Sequence, residues 1–495
     1  MTNRNIRKVA VLGSGVMGSR IACHFANTGT EVLLLDIPAK EGPRNKIVND
    51  ALAAAIKSSP APLYDARFAK RISNGNFDDD LPKIKDCDWI IEVVVERLDI
   101  KQQVLANVEK YRTPGTLITT NTSGIPIHAI SAGRSDDFRR HFCGTHFFNP
   151  PRYLPLLELI PGPDTDPAVL DFLEDYGQRI LGKVTVMAKD TPAFVANRIG
   201  VFGIMDVFHL VTDMGLTVEE VDRLTGPVIG HPKSATFRTA DVVGLDTLVK
   251  VAQGVKDNCP HDERNSLFSI PEYLQKMVEK NMLGSKTGKG FFFKDRNSPK
   301  GEILSLDLKT LEYKPQVKPK FATLDAAKKV DDLRERLKLV YNGTDKAGEF
   351  YRRSFQAMFA YVSHRIPEIS DELFKIDDGM RAGFGWEAGP FETWDAIGVK
   401  AALDAMSAAG VKVSPWVNEM IAAGHSSFYK VEYGKRLFYD VASKSYKPVP
   451  RAEGLIVLSD LPESSVVWKN SAATVRHLGD GILSVSWTSK MNTIG

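Results

Sequence analysis

The chain has 495 residues, of which 43% are hydrophobic and 25% charged, as is ordinary for a folded protein with several domains. Lys and Arg (64) nearly balance Asp and Glu (61), which argues against a nucleic-acid or membrane-surface binder. No apolar run approaches the roughly 18 residues of a membrane span, and the N-terminus does not resemble a signal peptide. The four cysteines lack CxxC or metal-ligand spacing, which predicts free thiols, no metal site and a cytoplasmic location.

The chain begins with a strand, a glycine-rich turn, a helix and a second strand. The apolar run 8–12 predicts a buried parallel strand, and a helix is predicted at 19–28. The turn between them contains Gly13, Gly15, Val16, Met17 and Gly18, with the glycines in G-x-G-x-x-G register. A second strand, 31–35, ends on Asp36, which lies 18 residues after the last glycine. This order is typical of the first βαβ unit of a dinucleotide-binding fold.

Each feature of this unit has a physical role in holding a dinucleotide. Gly13 allows the tight turn, Gly15 lets backbone amides approach the pyrophosphate, and Gly18 lets helix and strand pack closely. The pyrophosphate would lie at the helix N-terminus, where unpaired amides and the helix dipole favour an anion. Asp36 would accept from a ribose 2′-hydroxyl and repel a 2′-phosphate, which predicts NAD over NADP. The alternative is a tight turn with no ligand.

Two further strands are predicted at 89–95 and 116–120. Glu96 and Ser123 follow their C-terminal ends. Ligands bind at this edge of an open α/β sheet, so both side chains are candidates for contacts with cofactor or substrate. The alternative for Ser123 is a helix cap or a turn residue.

A Pro-rich reversal at 149–155 separates two more predicted strands, 142–148 and 156–160. If these strands pair, His146 and Glu158 are about equally far from the middle of the reversal. Paired residues on one face of a hairpin have Cβ atoms roughly 5 Å apart, so the carboxylate would hold one imidazole nitrogen and leave the other free. This arrangement suits a general base, because the carboxylate stabilises the imidazolium that forms. The alternative is a core histidine with a chance neighbour.

These motifs, together with Asp-Thr-Pro-Ala-Phe-Val-Ala-Asn-Arg at 190–198, resemble the 3-hydroxyacyl-CoA dehydrogenases in order and spacing. The resemblance implies NAD-dependent oxidation of L-3-hydroxyacyl-CoA to 3-oxoacyl-CoA in fatty-acid β-oxidation. It implies that His146 is the base that removes the hydroxyl proton, with Glu158 as its partner. Ser123 and Asn197 would hold substrate oxygens. Cofactor contacts are implied for Glu96, Lys101, Asn149 and Lys286, in addition to the glycine turn and Asp36.

Some of these residues have simpler interpretations when they are taken singly. Asn197 lies in a helical pattern, where a lone Asn is more often a solvated or packing residue. Lys101 and Lys286 would each most often face solvent. The sequence also departs from the family pattern at Gly124, where many relatives have a second serine, and at the Pro-Pro-Arg turn of 150–152. Both border the expected acyl pocket, so acyl-chain length stays open.

The remainder of the chain predicts further domains. We assign 1–188 to the NAD-binding domain, 189–295 to a helical domain, 296–345 to a linker with one helix at 326–339, and 346–448 to a second helical domain. The segment 377–398 parallels 222–244, which indicates a duplicated module. Relatives with one module pair two chains through it, so the second copy is expected to occupy the partner's place in a monomer. The alternative is two unrelated helical segments.

The tail, 449–495, has a different character, with strands predicted at 453–458, 466–467 and 479–487. Its end resembles the opening hairpin of an enoyl-CoA hydratase domain, but about 30 residues cannot bury the core of that fold. We therefore expect no hydratase activity. The chain would be the dehydrogenase part of a longer bifunctional protein, or a relative that lost the rest.

The predicted fold class is α/β, with a Rossmann-type doubly wound sheet followed by two related all-helical domains. The predicted ligands are NAD and an acyl-CoA substrate. Two rival functions are open at this point. One is a dehydrogenase of a short hydroxy acid or sugar acid without CoA, and the other is an NAD-binding structural or regulatory protein with a silent active site.

Overall fold

The structure is a computed structural model, and it describes residues 4–295, 298, 301–432, 434–451, 454–489 and 492. Among these residues, no helix combines the length and the apolar character that crossing a bilayer requires. All four cysteines are buried and free, as their spacing predicted.

The N-terminal part of the chain forms an eight-stranded sheet. Its strands are β1 (Lys8–Leu12), β2 (Glu31–Asp36), β3 (Ile72–Asn76), β4 (Trp89–Glu92), β5 (Leu117–Thr120), β6 (Phe142–Phe147), β7 (Leu156–Pro161) and β8 (Val184–Met187). They lie in the order β3-β2-β1-β4-β5-β6-β7-β8, and all neighbours are parallel except the antiparallel pair β6–β7. The predicted Rossmann-type sheet is therefore present, with the predicted hairpin inside it.

Helices cover both faces of this sheet, so its central strands β4, β5 and β6 are buried along their whole length. The helices are α1 (Val16–Asn27), α2 (Lys46–Ile56), α3 (Leu98–Tyr111), α4 (Ile127–Ile130), α5 (Asp136–Arg140) and α6 (Pro167–Arg179). Two predicted boundaries were wrong. Helix α1 begins three residues before the predicted start, directly after Gly15. Strand β4 ends at Glu92 rather than at 95, because the Glu92 carboxylate accepts from the Val94 amide (2.7 Å) and turns the chain out of the sheet.

Two modules with the same order of elements follow the sheet. The first contains α7 (Ala196–Asp213), α8 (Val218–Leu224), α9 (Phe237–Val243), α10 (Leu245–Asn258), α11 (Glu272–Glu279), β9 (Phe292–Lys294), β10 (Ile303–Leu306) and β11 (Tyr313–Pro315). After α12 (Ala322–Ala327) and α13 (Leu333–Tyr341), the second contains α14 (Lys346–His364), α15 (Leu373–Phe384), α16 (Pro390–Ile397), α17 (Val399–Ala408), α18 (Pro415–Ala422), β12 (Tyr429–Glu432), β13 (Lys435–Asp440) and β14 (Ser445–Pro448). Each copy thus adds a three-stranded antiparallel sheet to the expected helices.

Equivalent hydrogen bonds in the two modules support the predicted duplication. Asp241 in α9 accepts from the backbone amides of 291–292 at 2.8 and 2.9 Å. Asp395 in α16 accepts in the same way from 428–429 at 2.7 and 2.9 Å. In both copies a carboxylate near the end of the third helix therefore fixes the start of the three-stranded sheet. Two unrelated helical segments would not share this detail.

The segment 296–345 has more structure than the expected linker. It contains β10, β11 and two helices, α12 and α13, where a single helix at 326–339 was expected. The helices are separate because the Asp332 side chain caps α13 by accepting from the Glu335 amide at 2.9 Å. Leu337 and Val340 of α13 are buried in the core, so this segment packs against the modules. The proposed domain boundaries themselves stay a prediction.

The tail forms a separate antiparallel sheet of β15 (Val466–Lys469), β16 (Ala473–Gly479) and β17 (Ile482–Trp487). The strand expected at 453–458 does not form at 454–458, and residue 453 lies outside the described residues. The strand expected at 479–487 begins only at Ile482, because Gly479 ends β16 and Asp480 and Gly481, both with positive φ (50° and 76°), form the turn. The resemblance to a hydratase hairpin stays a prediction.

Candidate active site

A cleft of about 1090 Å³ lies at the C-terminal edge of the large sheet. One wall includes Gly13, Gly15, Val16, Met17, Asp36, Glu96 and Ser123, all of them predicted site residues. The opposite wall includes Thr247, Lys250, Gly254 and Asn258 of α10. Strand β1 pairs with both β2 and β4, so the cleft lies where the strand order reverses, which is the usual ligand site of such a sheet.

The three glycines of the turn differ in which atoms an added Cβ would contact. Gly13 has φ of 106°, and a Cβ there would lie 2.6 Å from the Val93 carbonyl oxygen. A Cβ at Gly18 would lie 1.8 Å from the Gly13 carbonyl oxygen, so this glycine is required for strand–helix packing. A Cβ at Gly15 would meet nothing within 4 Å. Gly15 therefore faces open space at the start of α1, where a pyrophosphate would fit.

Asp36 lies beside this turn, at the end of β2. Its Oδ2 accepts from the Ser14 amide (2.6 Å) and the Ser14 hydroxyl (2.5 Å), and its Oδ1 accepts from the Ile37 amide (2.7 Å). These bonds fix the carboxylate at the wall of the cleft. An oriented carboxylate at this position suits a ribose hydroxyl and disfavours a 2′-phosphate.

His146 and Glu158 are direct partners across the β6–β7 pair. His146 Nδ1 lies 2.6 Å from Glu158 Oε2, and both side chains are buried. Glu158 Oε1 accepts from the backbone amides of Val195 (3.1 Å) and Ala196 (2.8 Å) at the start of α7. A carboxylate can only accept, so Nδ1 carries the proton and donates to Glu158. The other nitrogen, Nε2, is then free to accept a proton, and it lies 3.2 Å from Ser123 Oγ.

Glu96 holds Ser123 in place. Its Oε1 accepts from the Thr122 hydroxyl (2.6 Å) and from the amides of Ser123 (2.9 Å) and Gly124 (3.2 Å). Burial alone would raise the pKa of Glu96, but the nearby Lys101 ammonium and these donors outweigh burial and lower the pKa. Glu96 therefore stays a carboxylate that orders the loop carrying Ser123.

Lys101 lies behind this loop. Its side chain is 1% exposed, and Nζ contacts Glu92 Oε1 at 2.9 Å and Glu96 Oε2 at 3.2 Å. The predicted cofactor contact of Lys101 stays a prediction. In the structure its ammonium compensates the buried carboxylate of Glu92 and the partly exposed carboxylate of Glu96, which lines the cleft.

The other predicted residues lie around this centre. Asn197 is the second residue of α7, next to the amide that binds Glu158, and it is half-buried. Asn149 is exposed at the hairpin reversal and accepts from Arg20 Nη1 of α1 at 2.6 Å. Lys286 forms an ion pair with Asp246 at the start of α10. Ser123 and Glu158 are thus the predicted side chains that the structure brings into hydrogen-bond contact with His146.

Sequence reasoning missed several groups around His146. The rings of Phe148 and Phe194 flank the imidazole, with centroid distances of 4.7 and 5.7 Å. Glu92 was also missed, although a single acid inside the apolar run 89–95 was a usable signal. The two backbone amides of α7 that donate to Glu158 could not be predicted from residue types, because nearly every residue type has a backbone N–H group.

Comparisons with known proteins place the chain in a family. The family model described as "3-hydroxyacyl-CoA dehydrogenase, NAD binding domain" matches residues 8–191. The model described as "3-hydroxyacyl-CoA dehydrogenase, C-terminal domain" matches residues 194–293. Together the two matches span the large sheet and most of the first module.

Individual relatives agree with these matches. A "Probable 3-hydroxyacyl-CoA dehydrogenase" of Bacillus subtilis is 43% identical over the whole chain, which spans 64% of the length of that relative. A protein of the same description from Deinococcus radiodurans is 46% identical, over 59% of this chain and 84% of its own. The crystal structure of a 3-hydroxybutyryl-CoA dehydrogenase from Escherichia coli shares the fold, with a TM-score of 0.61, 21% identity and coverage of 85% of this chain and 99% of its own. The chain belongs to the 3-hydroxyacyl-CoA dehydrogenase family, whose members are NAD-dependent oxidoreductases.

Proposed function

We propose that this chain oxidises the 3-hydroxyl group of L-3-hydroxyacyl-CoA to a ketone in fatty-acid β-oxidation, with NAD⁺ as the acceptor. The observation that carries the proposal is the free Nε2 of His146, which lies 3.2 Å from the hydroxyl of Ser123, a residue that lines the cleft at the edge of the sheet. The description of the Bacillus subtilis relative supports the same substrate class.

The proposed chemistry assigns one role to each group. The glycine turn and Asp36 would hold NAD⁺, which would supply the acceptor for the hydride that leaves substrate C3. His146 Nε2 removes the hydroxyl proton, a transfer that typically contributes 10²–10⁴-fold to the rate. Glu158 stabilises the resulting imidazolium through Nδ1, and the two α7 amides keep this carboxylate aligned. Ser123 and Asn197 would donate to the substrate oxygen as it gains negative character.

A steady-state comparison of substrates tests this proposal. We expect NADH formation with 3-hydroxybutyryl-CoA and NAD⁺, and far less with NADP⁺. Turnover of free 3-hydroxybutyrate but not of its CoA thioester would favour the rival dehydrogenase of a short hydroxy acid. Absence of turnover with either, despite normal NAD⁺ binding, would favour a protein with a silent active site. The complete hydrogen-bonded set of His146, Glu158 and Ser123 argues against that last rival.

We also propose that the second module takes the place of a dimer partner, so that the chain works as a monomer. Helix α7 of the first module packs against α14 and α15 of the second. Phe202 and Tyr361 stack across this contact with centroids 3.7 Å apart, and Asp262 binds both Arg198 (2.6 Å) and Arg365 (2.9 Å). The second module thus covers a face of the first module, which is the module through which single-module relatives are expected to pair. Small-angle scattering that shows an obligate dimer joined through α7 would overturn this proposal.

We place the protein in the cytoplasm. The basis is that all four cysteines are buried and unpaired, which is the state of thiols in a reducing compartment. Fractionation of cells that express the chain, with recovery outside the cytoplasmic fraction, would contradict this location.

A further inference from the structure

We propose that the crevice between the two modules receives the distal part of the acyl chain, and that Phe384 limits the chain length that is accepted. The inference rests on the proposed function and adds the basis of substrate selection. The intermodule crevice has a volume of about 90 Å³. Its walls include Gly203, Ile204 and Val207 of α7, Phe355 and Met358 of α14, and Phe384 at the end of α15.

One face of α7 runs from the active site into the intermodule crevice. Asn197, Gly200, Ile204 and Val207 recur every three or four residues, so they lie along the same side of the helix. Asn197 is at the catalytic end, and the other three line the crevice. A Cβ added at Gly200 would lie 2.0 Å from Phe384 Cζ, so the phenyl ring rests on this glycine. Phe384 therefore lies on α7 between its catalytic end and the rest of the crevice.

Contacts on the other side of Phe384 reach the catalytic histidine. A Cβ added at the preceding residue, Gly383, would lie 3.4 Å from Phe148 Cε1 and 2.7 Å from Leu156 Cδ2. The Phe148 ring in turn lies 4.7 Å from the His146 ring. The end of α15 thus separates the catalytic imidazole from the intermodule crevice. An alkyl chain that leaves substrate C3 along α7 would meet the Phe384 ring first.

The chemistry of the crevice suits an alkyl chain and not a polar group. Thr236 Oγ1 donates to Thr225 Oγ1 at 2.9 Å, and Thr239 Oγ1 donates to Ser234 Oγ at 2.8 Å. Among the described residues, no side-chain atom that is buried without a hydrogen-bond partner belongs to the lining. Burial lowers the pKa of His231 to about 3, so this lining residue is uncharged near neutral pH. Apolar cavities with satisfied walls stay dry and bind apolar ligands.

Met358 makes the crevice adaptable. A Cβ added at Gly203 would lie 2.9 Å from Met358 Cε, which is the end of a flexible side chain. Met358 can therefore yield when a chain enters. The same contact provides a variant that narrows the crevice, because Gly203→Val would place methyl groups in the space that the alkyl chain needs.

The test compares kcat/KM for 3-hydroxydecanoyl-CoA with kcat/KM for 3-hydroxybutyryl-CoA. We expect Phe384→Ala to raise this long-to-short ratio about tenfold or more, and Gly203→Val to lower it by a similar factor, as pocket fit to a few methylenes allows. Phe374→Ala is the matched control. It removes the same ring from α15, but Phe374 packs on Phe438 (4.7 Å) and does not line the crevice, so its ratio should equal that of the wild type.

The outcomes separate this inference from the proposed function. Turnover of the short substrate by the wild type tests the proposed function alone. If the wild type is active and both variants change the two substrates equally, the crevice does not bind the chain and the inference is wrong. If Phe384→Ala does not fold, Gly203→Val alone tests the inference. A long-to-short ratio of kcat/KM in Gly203→Val equal to that of the wild type would contradict it.

Discussion

The role of Glu158 gives a sharp test of the catalytic arrangement. Glu158→Gln keeps the size of the side chain, and its amide oxygen can still accept from the α7 amides. Its NH₂ group would then face His146 Nδ1 and favour the tautomer with the proton on Nε2, which cannot act as a base. The substitution also removes the negative charge that stabilises the imidazolium.

The size of the effect follows from the geometry. Two opposite charges about 4 Å apart interact by roughly 4 kcal/mol at an effective dielectric constant of about 20. His146 and Glu158 are both buried and their contact is shorter, at 2.6 Å, so the attraction between imidazolium and carboxylate is at least this large. Since about 1.4 kcal/mol corresponds to a factor of ten in rate, we expect kcat to fall by about 10³.

The assay is NADH formation at saturating 3-hydroxyacyl-CoA, together with NAD⁺ affinity measured by calorimetry. NAD⁺ affinity should stay unchanged, because Glu158 does not line the dinucleotide cleft. Glu419→Gln is the matched control, since Glu419 forms a surface ion pair with Lys444 far from the cleft. A Glu158→Gln protein that keeps kcat within about threefold of the wild type would refute the proposed pairing.

Four further substitutions test the cofactor side of the cleft and the residues that support it. Gly15→Ala should weaken NAD⁺ binding with little loss of stability, because the added Cβ meets no protein atom within 4 Å. Gly18→Ala should destabilise the fold, because its Cβ would clash with the backbone carbonyl of Gly13. Calorimetry measures the first effect and thermal unfolding the second. Asp36→Asn should raise the NADP⁺-to-NAD⁺ ratio of kcat/KM, because it removes the charge that repels a 2′-phosphate. Lys101→Met should cost roughly 3–5 kcal/mol in urea unfolding, since it leaves Glu92 without its buried partner. An unchanged cofactor ratio or unfolding midpoint would contradict the respective interpretation.

The central pairs of this site could be predicted because local spacing determines them. The glycine turn and Asp36 follow one another within a single βαβ unit, so sequence distance fixes their geometry. His146 and Glu158 are equally far from a reversal, and the two-residue period of strands then places them on one face. Both predictions needed no knowledge of how distant parts of the chain pack.

Features that depend on tertiary packing could not be predicted in this way. The α7 amides reach Glu158 only because the first module docks on the sheet. Lys101 has the sequence context of a surface lysine, and its burial depends on a tertiary contact, the ion pair of its ammonium with Glu92 at the end of β4. In 296–345, a helix was predicted at 326–339, but not that Leu337 and Val340 lie in the core, because that follows from the packing of α13 against α14 and α16.

The central claim is that His146 is the base of a dinucleotide-dependent oxidation, and His146→Gln tests it most directly. Gln cannot take up a proton at this position, but it leaves the glycine turn and Asp36 intact. We expect NAD⁺ to bind with the affinity of the wild type while kcat with 3-hydroxybutyryl-CoA falls by about 10²–10⁴. Turnover equal to that of the wild type would show that another group removes the proton and would contradict the account.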